Sequence, residues 1–142
     1  MKSETTLDRP IIFSTQYKHH YIRKDEPYCT ECILKFMGKN GNIFVCYGYS
    51  IASEGRPFNK KIGRTIALGR AEKLVSLLWN ENYVSALKFS QKQKVRDMEA
   101  FLNIVNDERL YCFRHRIGNY KTNYQEMTPD EFEQEHSAMV AS

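Results

Sequence analysis

The residues most suited to chemistry stand in the run RPFNKKIGRTIALGRAEKL, positions 56–74. Lys60 and Arg64 are one helical turn apart and so share a face, with Lys61 beside them. All three fall where apolar periodicity predicts the start of a helix, and the positive end of a helix dipole disfavours each exposed cation by about 0.3–1 kcal/mol. Gly63 and Gly69 interrupt the same helix at about 1 kcal/mol apiece relative to alanine. A segment that gives up this much local preference needs a compensating role. Unpaired N–H groups at a helix start attract phosphate, above all with Lys and Arg beside them, and glycine admits a close neighbour. The run therefore predicts an anion site built from Phe58, Asn59, Lys60, Lys61 and Arg64. Close packing of helix on sheet is the alternative role for the glycines. Arg70 lies six residues beyond Arg64, off its face, and suits a separate contact. The glycine spacing matches neither the P-loop nor the dinucleotide-binding pattern.

Basic and aromatic residues also interleave in YKHHYIRK, which begins at Tyr17, and in RLYCFRHRIGNYKTNY, which begins at Arg109 and contains Arg114 and Arg116. Cations for phosphates and rings for bases are the means by which single-stranded nucleic acid is held, and the same groups suit a nucleotide. Cys29-x-x-Cys32 has the spacing of a zinc knuckle but no second knuckle follows it, and in an extended chain the two thiols point to opposite faces. Buried free thiols are expected, and neither a metal nor a cofactor. His19, His20 and His115 have no carboxylate or nucleophile close by in sequence that would complete an acid–base set.

The run Phe58-Asn59-Lys60-Lys61-Ile62-Gly63-Arg64-Thr65-Ile66-Ala67-Leu68-Gly69-Arg70-Ala71, placed after a β-hairpin, resembles a segment of small bacteriophage proteins. It is similar, more loosely, to the first class of phage anti-Thoeris proteins, which sequester cyclic ADP-ribose-type signals without cleaving them. The resemblance implies a non-enzymatic homo-oligomer with nucleotide pockets between subunits, in which Lys60, Lys61, Arg64 and Arg70 contact the ligand. The expected function is counter-defence by sequestering a nucleotide second messenger, cyclic ADP-ribose-type or a cyclic oligonucleotide. A nucleic-acid-binding regulator and a phage inhibitor of a host defence protein are the alternatives.

These residues must be positioned by one domain, since 142 residues with 42% hydrophobic and 27% charged side chains suit a single core. The net charge of +4 permits anionic partners without the dense basic stripe of a duplex binder. No apolar run is long enough to span a bilayer and the N-terminus lacks a secretory core, so a cytoplasmic protein is expected, in an infected host cell if of phage origin. Residues 1–9 are expected to be loose, and PIIFST at 10–15 to form a strand that leads into a strand or loop turning at Pro27.

The strongest local signal is the hairpin at 31–50, whose Asn40-Gly41 predicts a two-residue type I′ turn. That turn would pair Leu34 with Tyr47 and Phe36 with Val45, placing Ile43, Val45, Tyr47 and Tyr49 on the core face and Phe44, Cys46 and Gly48 on the other. Helices are predicted at 60–79, with Ile62, Ile66, Leu74, Leu77 and Leu78, and Ala67, Ala71 and Val75 beside them, as a broad apolar stripe, and at 91–106, capped by Ser90 with Val95, Met98, Leu102 and Val105 recurring on one side. A strand at 109–117 and a short C-terminal helix starting at Thr128-Pro129 complete the expectation. The fold class is α+β: an antiparallel sheet around the hairpin, covered on one face by two helices.

Overall fold

A computed structural model of the chain describes residues 9–23, 26–52, 58–102 and 122–141. Its elements run β1 (Ile12–Arg23), β2 (Glu26–Met37), β3 (Ile43–Ile51), α1 (Lys60–Trp79), α2 (Tyr83–Leu102), β4 (Tyr124–Met127) and α3 (Pro129–Ala141). The four strands form one antiparallel sheet in the order β1-β2-β3-β4. The α+β class and the antiparallel sheet around a hairpin are therefore as the sequence predicts. The strand at 109–117 and the end of the 91–106 helix fall outside the described residues.

The hairpin has the predicted strands but a different register. Phe36 pairs with Phe44, Leu34 with Cys46 and Ile33 with Tyr47. The loop is three residues long. Gly38 N–H donates to Asn42 O (2.8 Å), Gly41 N–H donates to Gly38 O (3.0 Å), and Gly41 takes φ 87°. This is a type I turn closed by a left-handed glycine, and it serves the right-handed twist as well as the two-residue turn does. Asn40 contributes through its side chain, whose Oδ1 accepts from Asn42 N–H (3.0 Å). A one-residue change of register turns every side chain of a strand over. Phe44, Cys46 and Gly48 consequently join Cys32, Leu34 and Phe36 beneath α1, opposite to the sequence expectation.

The stripe predicted for α1 is buried at Ala67, Ala71, Leu74, Val75 and Leu78 but not at its two isoleucines. Ile62 and Ile66 are exposed, whereas Gly63, Ala67, Ala71, Leu74, Val75 and Leu78 are buried. The N-terminal half of that buried face is a row of small residues at four-residue spacing. It lets the helix backbone descend onto the sheet: a Cβ built at Gly48 would lie 2.0 Å from Ala67 O and 2.6 Å from Ala71 N. At Gly63 a Cβ would lie 2.6 Å from the Thr30 hydroxyl. Gly63 is therefore a packing glycine. Nothing in the structure explains Gly69, where an added Cβ meets no atom within 4 Å.

The helix α2 begins seven residues before Ser90, so Ser90 is not a cap but a buried mid-helix residue whose hydroxyl accepts from Asn123 N–H. Its buried face is Ala86, Ser90, Gln93, Asp97 and Phe101, while Val95 and Leu102 of the predicted apolar stripe are exposed. Hydrophobic periodicity fails here because this helix turns hydrogen-bonding groups inward. Phe101 and half-buried Met98 reach a second cluster with Tyr28, Cys29 and Tyr49. The C-terminal helix starts as predicted, with a capping box in which Glu131 N–H donates to Thr128 Oγ1 (3.2 Å) and Thr128 N–H to Glu131 Oε1 (2.8 Å).

Two glycine substitutions test this packing by urea denaturation. Gly48→Ala forces α1 off β3 and lowers stability by at least about 2 kcal/mol. Gly69→Ala, in open space on the same helix, raises it by about 0.5–1 kcal/mol.

Candidate functional site

The first turn of α1 lies over the β1–β2 half of the sheet. Gly63 sits against Thr30 of β2, and this contact carries the side chains of residues 58–64 toward β1, the strand at the sheet's edge. Period-two alternation and the pairs Tyr17 with Cys32 and His19 with Thr30 put Tyr17 and His19 on the α1 side of β1. Past the irregular register at His20 and Tyr21, the Tyr21 ring lies 6.0 Å from Lys60 Nζ. The Phe58 ring meets His19 edge-on, with centroids 6.1 Å apart. His19 Nδ1 lies 3.1 Å from Thr30 Oγ1.

Electrostatics marks the same patch. The His19 pKa is lowered by partial burial and, after that, by the positive charges of Lys60 and Arg64. Tyr17, hydrogen-bonded to the Cys32 thiol, has its pKa raised by burial first, and feels Arg64 in the opposite sense. Lys60, Lys61 and Arg64 are exposed, and among the described residues none of them forms an ion pair. The result is a cationic surface floored by the rings of Tyr17, His19, Tyr21 and Phe58.

Asn59 has a local duty. In extended conformation (φ −123°, ψ 112°) it caps α1, its Oδ1 accepting from Ile62 N–H (3.0 Å). Such a cap contributes about 1 kcal/mol and offsets part of the misplaced cations, since the first turn contains no acid. Lys61 stands at the same end without a described side-chain partner. Arg70 is elsewhere: its guanidinium donates to Tyr49 O and lies 3.8 Å from Asp97 Oδ1 on α2. It ties α1 to β3 and α2. Arg114 and Arg116 lie outside the described residues.

Sequence reasoning singled out the YKHHYIRK segment but did not join Tyr17, His19 and Tyr21 to the cations of α1. Their signal is Y-x-H-x-Y, a period-two row that puts three rings along a strand, but only the tertiary fold brings it beneath Lys60 and Arg64. The other histidine, His20, has the carboxylate that sequence proximity did not supply: its Nε2 lies 2.9 Å from Glu31 Oε1, and the Tyr49 hydroxyl donates to Glu31 Oε2 (3.2 Å). Cys29 and Cys32 are buried free thiols on β2, and burial pushes Cys32 up to about 11. Among the described residues, no group of three or more His, Cys, Asp or Glu side chains could hold a metal ion.

No family model, no curated protein and no solved structure matches the chain. No described helix is long and apolar enough to cross a membrane.

Asp97 sets a pH dependence. Burial pushes its carboxyl up to about 7 from an ordinary 3.8, and Arg70 only partly counteracts this. The folded chain thus keeps a proton that the unfolded chain has released, and stability falls as pH rises between those values. The melting temperature should decline across this window, and Asp97→Asn should flatten the decline.

Proposed function

We propose that the surface between β1 and the first turn of α1 binds a phosphate-bearing nucleotide and holds it without cleaving it. The observation that carries this reading is the convergence of two separate sequence features: Lys60 and Arg64 of α1 stand over the ring-bearing face of β1. A nucleotide has the complementary parts. Its phosphates pair with Lys60, Arg64 and the outlying Lys61, and its base lies against Tyr17 or Tyr21, where stacking contributes about 1–3 kcal/mol per base. The N–H groups of Lys60 and Lys61, ahead of the capped Ile62 N–H, belong to the first turn of α1, where helix N–H groups have no intrahelical partner. Gly63 serves packing, so the ligand approaches the cations and rings rather than a bare backbone.

The resemblance of residues 58–71 to the phage segment supports the biological setting: a counter-defence protein that sequesters a nucleotide second messenger. Sequestration demands affinity alone, and a homo-oligomer would enclose a surface that one chain leaves open. Rows of cations and rings also suit single-stranded nucleic acid, and salt separates the two. A polynucleotide that neutralises several phosphates loses affinity steeply as salt rises, and a small ligand does so weakly.

The decisive experiment is a thermal-shift screen with cyclic nucleotides and ADP-ribose derivatives, followed by heat release and analysis of the recovered ligand. We expect a shift with at least one compound, and its recovery intact. Arg64→Ala and Lys60→Ala should each weaken binding by about tenfold or more, with the melting temperature of the free protein nearly unchanged. Bound anion opposes the cation field at His19, so the His19 pKa followed by NMR should rise on binding and affinity should increase as pH falls through it. A hydrolysed product, or an Arg64→Ala protein that binds as before, would defeat the reading.

A further inference from the structure

We infer that the groove between the outer flanks of α1 and α2 receives an acidic amphipathic helix of a partner protein. The groove, about 740 Å³, is lined by Lys73 and Leu77 of α1 and by Lys88, Phe89, Lys92 and Val95 of α2, among others. Its lining includes three lysines and no acid. This inference does not rest on the nucleotide reading, which concerns the opposite flank of α1 and the β1 edge.

The first support is the inverted pattern of α2. This helix buries Ser90, Gln93 and Asp97 while leaving Val84 (69% exposed) and Val95 (59% exposed) on its outer side. In a helix that only covers its own sheet, those two groups of residues would be exchanged. Val84, Lys88 and Val95 fall on one stripe of α2 by helical geometry, and the eleven-residue span from Val84 to Val95 corresponds to about 16 Å, three turns of a facing helix. Leu77 and Phe89, both half-buried, provide an apolar floor between the two helices. A third helix packs into such a groove at about 8–10 Å from its neighbours.

Charge selects among occupants. A second copy placing its own α2 in the groove would set Lys88 and Lys92 against the same lysines, which is repulsive. An anionic membrane would meet the ridges of the helices and leave the floor between them unfilled. A helix with apolar residues at three- and four-residue spacing, flanked by Glu or Asp, fills the floor and meets Lys73, Lys88 and Lys92 at its rims.

The test is fluorescence anisotropy of the full chain with a labelled synthetic helix of about eighteen residues, with leucines at i, i+3, i+4 and i+7 and glutamates on the flanks. Its lysine-flanked counterpart and phosphatidylserine vesicles serve as competitors. We expect saturable binding of the acidic peptide, weakened about tenfold or more by the Lys88→Glu/Lys92→Glu pair and by Val95→Asp, and unaffected by Arg64→Ala. The substituted residues are exposed, so circular dichroism and melting should match the parent. Absence of binding, equal affinity for both peptides, preference for vesicles, or self-association that Val95→Asp abolishes would each overturn the inference.

Discussion

The close contact of α1 with β3 organises the rest of the molecule. Gly48 has no room for a side chain because the Ala67 carbonyl and the Ala71 amide occupy the space where one would stand. Few side chains intervene, so the helix is set by backbone against backbone, a stiffer arrangement than one mediated by long apolar side chains. Leu34, Phe36, Phe44, Leu74 and Leu78 then fill the widening space along the same interface. Register matters as much as composition: were β3 shifted by one residue, Gly48 would leave the interface and a tyrosine would replace it.

The candidate site inherits its geometry from this contact. With α1 held low, Gly63 rests against Thr30, and Lys60 of the first turn reaches the Tyr21 ring of β1. The unfavourable placement of Lys60, Lys61 and Arg64 relative to the helix dipole is tolerated because Asn59 caps the turn and because packing farther along the helix provides most of its stability. Arg70 shows the same economy in the opposite direction. Its charge is half-buried, and it ties a strand carbonyl and the carboxyl of Asp97 together at the junction of α1, α2 and β3.

Polar groups inside and apolar groups outside make α2 the unusual element. Ser90 receives the Asn123 amide, and the Asn123 carbonyl in turn accepts from Tyr47 N–H, so the chain entering β4 is anchored to both the helix and the strand it joins. Such buried hydrogen bonds specify where an edge strand docks, which apolar contacts alone do poorly.

Much was determined by local chemistry that needs no tertiary partner. The hairpin followed from β-branched and aromatic runs flanking Asn40-Gly41, the C-terminal helix from Thr128, Pro129 and Glu131, and the cationic start of α1 from Lys60, Lys61 and Arg64, all short-range signals readable residue by residue. What only the tertiary structure decided were the choices between local alternatives of nearly equal energy. A two- or three-residue turn at Asn40-Gly41 differs little locally but reverses which face of β3 lies beneath α1. A helix with both large apolar and small residues can turn either stripe inward, and the demand of Gly48 for a bare backbone selected Gly63, Ala67 and Ala71 over Ile62 and Ile66. The meeting of Lys60 and Arg64 with Tyr17, His19 and Tyr21 joins residues some forty positions apart, and no local preference encodes a contact that exists only once the helix lies on the sheet.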